Sequence, residues 1–206
     1  GHAYVGGGDY VKADRVNMGL LGARLAKDPS GYYKITKIFK GQNWDRVTRS
    51  PLTEIGVNAK EGDFIIAING IKTSDVVNIN QLLIATADKQ VKLTLNSKPS
   101  EEGSRVVTVV PTNDEQKLIY YNWVEENYEK VNKATNGRVG YLHIPNMGSE
   151  GLNEFVKHFY AQLSKEALIV DDRGNGGGNV SPHIIERLRR EPVQVTLMRN
   201  SMPSFE

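Results

Sequence analysis

The run Asp171-Asp172-Arg173-Gly174-Asn175-Gly176-Gly177-Gly178-Asn179 is the stretch of this chain most informative about chemistry. It follows the apolar residues Ala167 to Val170 and precedes Ser181-Pro182, a helix opening with proline at its first position. Glycines at such a junction let backbone N–H groups point at a ligand without a Cβ in the way. Turns of this kind bind phosphate or stabilise an oxyanion. The phosphate readings fail on detail. No Gly-Lys-Ser/Thr is present for a P-loop, and the third glycine of a dinucleotide fingerprint would fall on Asn179. An oxyanion loop and a tight glycine turn without function both fit the spacing.

The histidines are the next candidates. His2, in His2-Ala3-Tyr4-Val5-Gly6-Gly7-Gly8-Asp9, suits a general base, although Gly1-His2 is also what a cleaved affinity tag leaves. His143 falls in mid-strand and reads as a core or edge residue. His158 lies off the apolar face of its helix and reads as solvent-exposed, and His183 sits near a helix start, also solvated. The four show no metal-ligand spacing such as His-Glu-x-x-His. Asp171 and Asp172 could be catalytic carboxylates. A carboxylate just after a buried strand more often fixes a turn through backbone hydrogen bonds. In Gly19-Leu20-Leu21-Gly22-Ala23-Arg24-Leu25, small residues among apolar ones before a strand can present N–H groups to a peptide carboxylate, while the strand edge adds a peptide strand; an ordinary turn also fits.

Two kinds of scaffold must position these residues. Residues 1–17 are glycine-rich and polar, a connector. Residues 18–112 read as short strands with one helix: Tyr32 to Ile38, Phe64 to Ile68 closed by the turn Asn69-Gly70, a helix from Ile79 to Ala87, then Val91 to Leu95 and Arg105 to Val110. Residues 113–206 alternate helix and strand, which argues for an α/β domain. Leu118, Tyr121, Val124, Tyr128 and Val131 form one helix face, ended by Asn136-Gly137. Arg138 to Ile144 is a strand. Ser149 caps a second helix that buries Leu152, Phe155, Val156, Phe159 and Leu163. Ala167 to Asp171 is a short buried strand, and the helix from Ser181 turns Ile184, Ile185 and Leu188 inward.

Composition narrows the function classes. Hydrophobic residues make up 39% and charged residues 24%, as in an ordinary globular protein. A formal charge of +2 gives no electrostatic case for nucleic acid or an anionic membrane. With no cysteine, disulfides and cysteine-based zinc sites are excluded. The apolar run Phe64 to Ile68 is far too short to span a bilayer. Both ends of the chain read as cut points in a longer protein.

The residues then resemble a known family. Gly19 to Leu25, Ser50-Pro51-Leu52 with Gly56-Val57, and Gly62-Asp63-Phe64-Ile65-Ile66-Ala67-Ile68-Asn69-Gly70 look like the PDZ-like domains of C-terminal-processing and tricorn proteases. Gly137 to Pro145, Phe159 to Leu163, Ala167 to Asp171 and Arg173 to Gly178 are similar, in order, to the tricorn catalytic core. The resemblance implies a two-domain α+β and α/β fold: a PDZ-like β-barrel, then the N-terminal part of a crotonase-like (ClpP-like) α/β protease core. It implies peptide hydrolysis by a serine nucleophile beyond Glu206, with His2 as the catalytic histidine. Gly1 stands where the family has a serine. Gly176 or Gly177 would be the oxyanion-hole N–H donor, and Leu21, Gly22 and Ala23 would face a peptide in the PDZ loop. Residues Val193 to Arg199 contain no acid to favour basic substrates, a departure from the family. Peptide substrates, no metal or organic cofactor, no nucleic acid, no membrane insertion and a homo-oligomer, hexameric in the family, follow as expectations. So does a cytoplasmic location, with export through an upstream signal the alternative, and so does an inactive 206-residue chain. A non-catalytic PDZ peptide-binding module and an apolar-ligand carrier on the same core fold are the competing classes.

Overall fold

The computed structural model describes residues 3, 5–9, 16–191, 195–202 and 204–205. The chain divides into two compact units between Asn122 and Trp123, inside a helix.

The first unit is built on one antiparallel sheet of β1 (Ala23–Lys27), β2 (Tyr33–Ile38), β3 (Phe64–Ile68), β4 (Ile71–Lys72), β5 (Val91–Asn96) and β6 (Arg105–Val109). The order is β1-β2-β3-β5-β6, with β4 paired to β3. Every residue of β3 is buried, which explains a continuous apolar run in place of alternation. Asn69 and Gly70, with φ of 51° and 83°, make the tight β3–β4 hairpin, and the Asn69 side chain accepts from the Lys92 N–H at 2.9 Å. Gly62 and Asp63 splice the loop before β3 onto β2: the Gly62 N–H donates to the Ile35 carbonyl, and the Ile35 N–H to the Asp63 carbonyl, each at 2.8 Å. The core gathers Ile35, Leu52, Ile65, Ile68, Val91 and Leu93.

The helix expected over Ile79 to Ala87 is shorter. A 3-10 turn spans Ile79–Leu83, capped by the Asn78 side chain on the Asn80 N–H; Ile84 is then extended and Ala85 takes φ of 57°. Ala85 donates to the Asn17 carbonyl and Gly19 to the Leu83 carbonyl, so the entering chain takes the bonds that another helical turn would need.

The second unit contains most of α1 (Gln116–Ala134), then β7 (Val139–His143), α2 (Ser149–Tyr160), β8 (Ala167–Asp171) and α3 (Ser181–Leu188). Asn136 and Gly137, both at positive φ, follow α1 as expected. β7 and β8 pair in parallel with Val139 opposite Ala167 and His143 opposite Asp171. Leu142, Ile144, Phe155 and Ile184 form the buried cluster.

Three expectations need correction here. β8 is not buried: Ile169 is 44% exposed, because β7 is its only partner among the described residues. Val156 on α2, Leu163 just beyond its end, and Ile185 and Leu188 on α3 are exposed, since no described element packs over them. Ser149 is the first helical residue and not the cap. Gly148 occupies the cap position, and the Asn146 side-chain oxygen takes the N–H groups of Gly148 and Gly151 at 2.9 and 3.2 Å. Among the described residues no helix is long and apolar enough to cross a membrane.

Candidate functional site

Two candidate sites stand out, one in each unit. In the second unit, β8 delivers Asp171 to the start of the glycine run. Its buried carboxylate accepts the Tyr141 hydroxyl at 2.7 Å, the Arg173 backbone N–H at 3.0 Å, and Arg173 Nε at 2.9 and 3.0 Å to its two oxygens. The Arg173 guanidinium holds Asp171 well below the usual carboxylate range, outweighing the opposing effect of burial, with the Tyr141 hydroxyl adding to it. Burial first, and then the Asp171 charge, push the Tyr141 phenol up to about 12. Asp171 is therefore a charged clamp on the turn at neutral pH, as a carboxylate fixing a turn should be, and too weak a base to take a proton there. His143 is buried and its Nε2 lies 2.9 Å from the Arg173 carbonyl; the Trp123 ring meets it edge-on at 4.8 Å. The Arg173 guanidinium also stands over Trp123 at 5.6 Å. His158 is half-buried and pairs with Glu154 at 3.3 Å, so full solvent exposure is corrected; His183 is exposed as expected.

Beyond Arg173 the loop is stitched to the segment after β7. Asn175 Nδ2 donates to the Ile144 carbonyl at 2.9 Å, and its Oδ1 accepts the Gly177 N–H at 2.8 Å. The Gly176 N–H donates to the Pro145 carbonyl at 3.0 Å. Both expected oxyanion donors are thus engaged in this conformation, Gly176 by the segment after β7 and Gly177 within the loop. They are not equivalent. Gly176 is tied to backbone, whereas Gly177 is tied to a side-chain oxygen that rotation can withdraw. Gly178 lies against Met147: the Met147 N–H donates to the Gly177 carbonyl at 2.8 Å and the Asn179 N–H to the Met147 carbonyl at 2.7 Å. A Cβ on Gly178 would stand 2.1 Å from the Met147 carbonyl oxygen, so only glycine fits. His2 lies outside the described residues.

The first unit holds a groove between β1 and the Ile79–Leu83 turn. Leu20, Leu21, Leu25, Ile79 and Leu83 line it, with Arg24, Asn78, Asn80 and Glu115 supplying polar groups. Among the described residues β1 pairs with β2 alone, so no described strand pairs with its other edge. Leu21 and Gly22 lead into Ala23, the first residue of β1. Gly22 has φ of 70° and is hemmed in by Leu118, Ser50 and Pro51, each 3.1–3.2 Å from where a Cβ would lie. Its N–H is not open: it donates to Glu115 Oε2 at 3.2 Å.

Sequence reasoning missed Tyr141, Gln162 and Glu115. Gln162 clamps β7, accepting from the Tyr141 N–H and donating to the Tyr141 carbonyl, both at 2.9 Å. Its position at the end of an amphipathic helix gives no hint of this. Glu115, beside Asp114 at a helix start, reads as a residue complementing the helix dipole.

Comparison with known proteins agrees with both halves. Residues 19–114 match the family described as the tricorn protease PDZ domain, and residues 138–201 match peptidase family S41. The chain is 36% identical over 207 residues to tricorn protease homolog 1 of Streptomyces coelicolor, covering 98% of this chain and 19% of that protein. It is 37% identical over 210 residues to the tricorn protease homolog of Saccharolobus solfataricus, covering 98% and 18%. The tricorn protease of Thermoplasma acidophilum is 32% identical over 192 residues, with 93% and 18% covered. Among solved structures, the crystal structure of the tricorn protease superposes with a TM-score of 0.80 at 31% identity, covering 92% of this chain and 18% of that one. The chain thus spans less than a fifth of the length of these relatives.

Proposed function

We propose that this chain is a segment of a tricorn-type peptidase, a tricorn PDZ domain followed by part of an S41 core, and that the whole protein hydrolyses peptide bonds by a serine nucleophile supplied from outside these 206 residues. His2 takes the nucleophile's proton and returns it to the leaving amine. The observation that carries the reading is the glycine loop. It is pinned at one end by the Asp171–Arg173 pair and in the middle by Asn175. Such pinning is what a fixed oxyanion donor needs, because the donor must be aimed before charge develops. Gly177 is the better donor of the two glycines, since its N–H can exchange Asn175 Oδ1 for a substrate oxygen. The groove beside β1 holds an extended peptide by adding a strand to the sheet. The protein works as a homo-oligomer, a hexamer, in the cytoplasm.

The decisive experiment is His2→Ala in the full-length protein. Turnover of a peptide substrate should fall by roughly four orders of magnitude or more with little change in substrate binding. Turnover within tenfold of the parent would remove His2 from the mechanism. The 206-residue chain alone should leave the same substrate intact.

A further inference from the structure

We infer that Glu115 is a specificity-determining residue of the groove, an internal carboxylate that turns away ligands ending in a free carboxylate and reserves the groove for extended segments whose chain continues beyond it. The inference rests on the groove being a peptide site. Glu115 stands where an incoming chain end would seek its partners. Its Oε2 takes the Gly22 N–H at 3.2 Å, and its Oε1 lies 3.7 Å from Arg24 Nη1. One carboxylate therefore engages both an expected N–H of the loop and the cation next to it. Its side chain is 13% exposed, whereas that of Arg24 is 57% exposed.

The carboxylate is placed by a backbone held on both flanks, and its side chain is largely buried against Gly22 and Arg24. Upstream, Leu20 and Thr112 exchange backbone hydrogen bonds of 2.7 and 2.9 Å. Downstream, the Ile119 N–H donates to the Glu115 carbonyl at 2.8 Å, and the Gln116 N–H to the Asp114 side chain at 2.8 Å. A terminal carboxylate entering this corner would meet a like charge and find the Gly22 donor taken, a repulsive element of the kind that sets specificity. A ligand that continues through an amide brings no charge. It still has the edge of β1 that no described strand occupies to pair with, and the apolar side chains of Leu20, Leu25, Ile79 and Leu83 to pack on.

The test is an NMR titration of the 206-residue protein with one alternating alanine–leucine octapeptide, prepared as the free acid and as the C-terminal amide. The parent protein should bind the amide about tenfold or more tightly than the acid, the scale expected of one adverse charge contact. Glu115→Ala, which opens both the Gly22 N–H and Arg24, should bring the acid level with the amide or ahead of it. Glu115→Gln keeps an acceptor on Gly22 without the charge and should fall between, and it carries the comparison if the alanine variant is not folded. Equal affinities in the parent, or a ratio unmoved in the folded variants, overturn the inference while leaving the groove intact. If neither peptide shifts the amides of residues 20–27 in any folded protein, the groove reading fails and the inference goes with it.

Discussion

β3 and β8 are both five-residue apolar strands, Phe-Ile-Ile-Ala-Ile and Ala-Leu-Ile-Val-Asp, yet the first is wholly buried and the second has a single buried residue, Asp171. The difference lies in their neighbours. β3 is flanked by β2 and β5 and lies in a closed core, whereas β8 has β7 on one side and no strand on the other among the described residues. The same contrast runs through the side chains that matter. In the first unit, fixed geometry comes from apolar packing around the sheet, with the groove at its edge. In the second, the glycine loop is held largely by charge and hydrogen bonds: Asp171 to Arg173 and Tyr141, Asn175 to Ile144. A groove proposed to hold a peptide can rest on a core, while a loop proposed to stabilise an anion requires polar groups to aim its N–H donors.

The largest effect that would test this contrast is a pair of cavity substitutions. Ile65 is fully buried at the centre of the sheet, and Ile169 is 44% exposed on β8. Ile65→Ala should cost about 3–4 kcal/mol of stability, the range for a large-to-small change in a packed core. Ile169→Ala should cost less than about 1 kcal/mol, since little apolar contact is lost. Urea unfolding of both variants, followed by circular dichroism, measures the two costs. Equal costs would mean that β8 is covered in solution, and the contrast between the units would collapse.

A smaller effect sharpens the comparison at the glycines. Gly178→Ala forces a Cβ to within 2.1 Å of the Met147 carbonyl and also strains φ of 142°. It should uncouple the loop from the segment after β7, at a cost of about 2 kcal/mol or more. Gly70→Ala at the β3–β4 hairpin meets no atom within 4 Å, and its φ of 83° alone should cost about 1 kcal/mol. Amide hydrogen exchange at Gly176, whose N–H is bonded to Pro145, should speed up in the first variant and stay unchanged in the second. Unchanged protection in Gly178→Ala would show that the loop does not depend on the Met147 contact.

Much of this architecture was legible in the residue pattern, and for reasons that also explain the failures. β3 and β8 were found at their true bounds because an apolar run between turn residues is a local signal. α1 ended where Asn136-Gly137 predicts, because positive φ is a property of those two residues. Burial was not local in this sense. Ile169 and Leu163 carry the same apolar signal as Ile65, and what covers a residue depends on distant segments. The helix over Ile79–Ala87 failed for a similar reason: Asn17 and Gly19 bond to the residues that would have continued it. Of the candidate sites, the positions of the glycine loop and the Gly22 corner were readable. The direction of each N–H was not, because it depends on where Asn175, Pro145 and Glu115 lie in three dimensions.

The smallest effect separates the units by their response to acid, because their two key carboxylates are displaced in opposite directions. Asp171 is held below its ordinary value of 3.8 by Arg173. Its contribution is therefore complete above that value and is lost as the pH falls below it toward the lowered pKa. Glu115 is pushed above its ordinary value of 4.5 mainly by burial, with Arg24 and the Gly22 N–H opposing. Its contribution is full below 4.5 and is lost as the pH rises through the raised value, since the folded state then carries a charge it solvates poorly. Acid should accordingly loosen the loop of the second unit while favouring the Glu115 corner of the first. Trp123, which contacts His143 and Arg173, gives a fluorescence signal from the loop region once Trp44 is replaced by phenylalanine. In that background Asp171→Asn should lower stability at pH 7 and flatten its decline below 3.8, because the ionisable partner of Arg173 is gone. Glu115→Gln should raise stability at pH 7, by less than about 1 kcal/mol for a half-exposed pair, and the gain should vanish below 4.5, where the parent's own carboxyl is protonated. A Glu115→Gln variant destabilised at pH 7 would instead mean that the charged pairing with Arg24 outweighs burial. The acid responses of the two units would then run in the same direction.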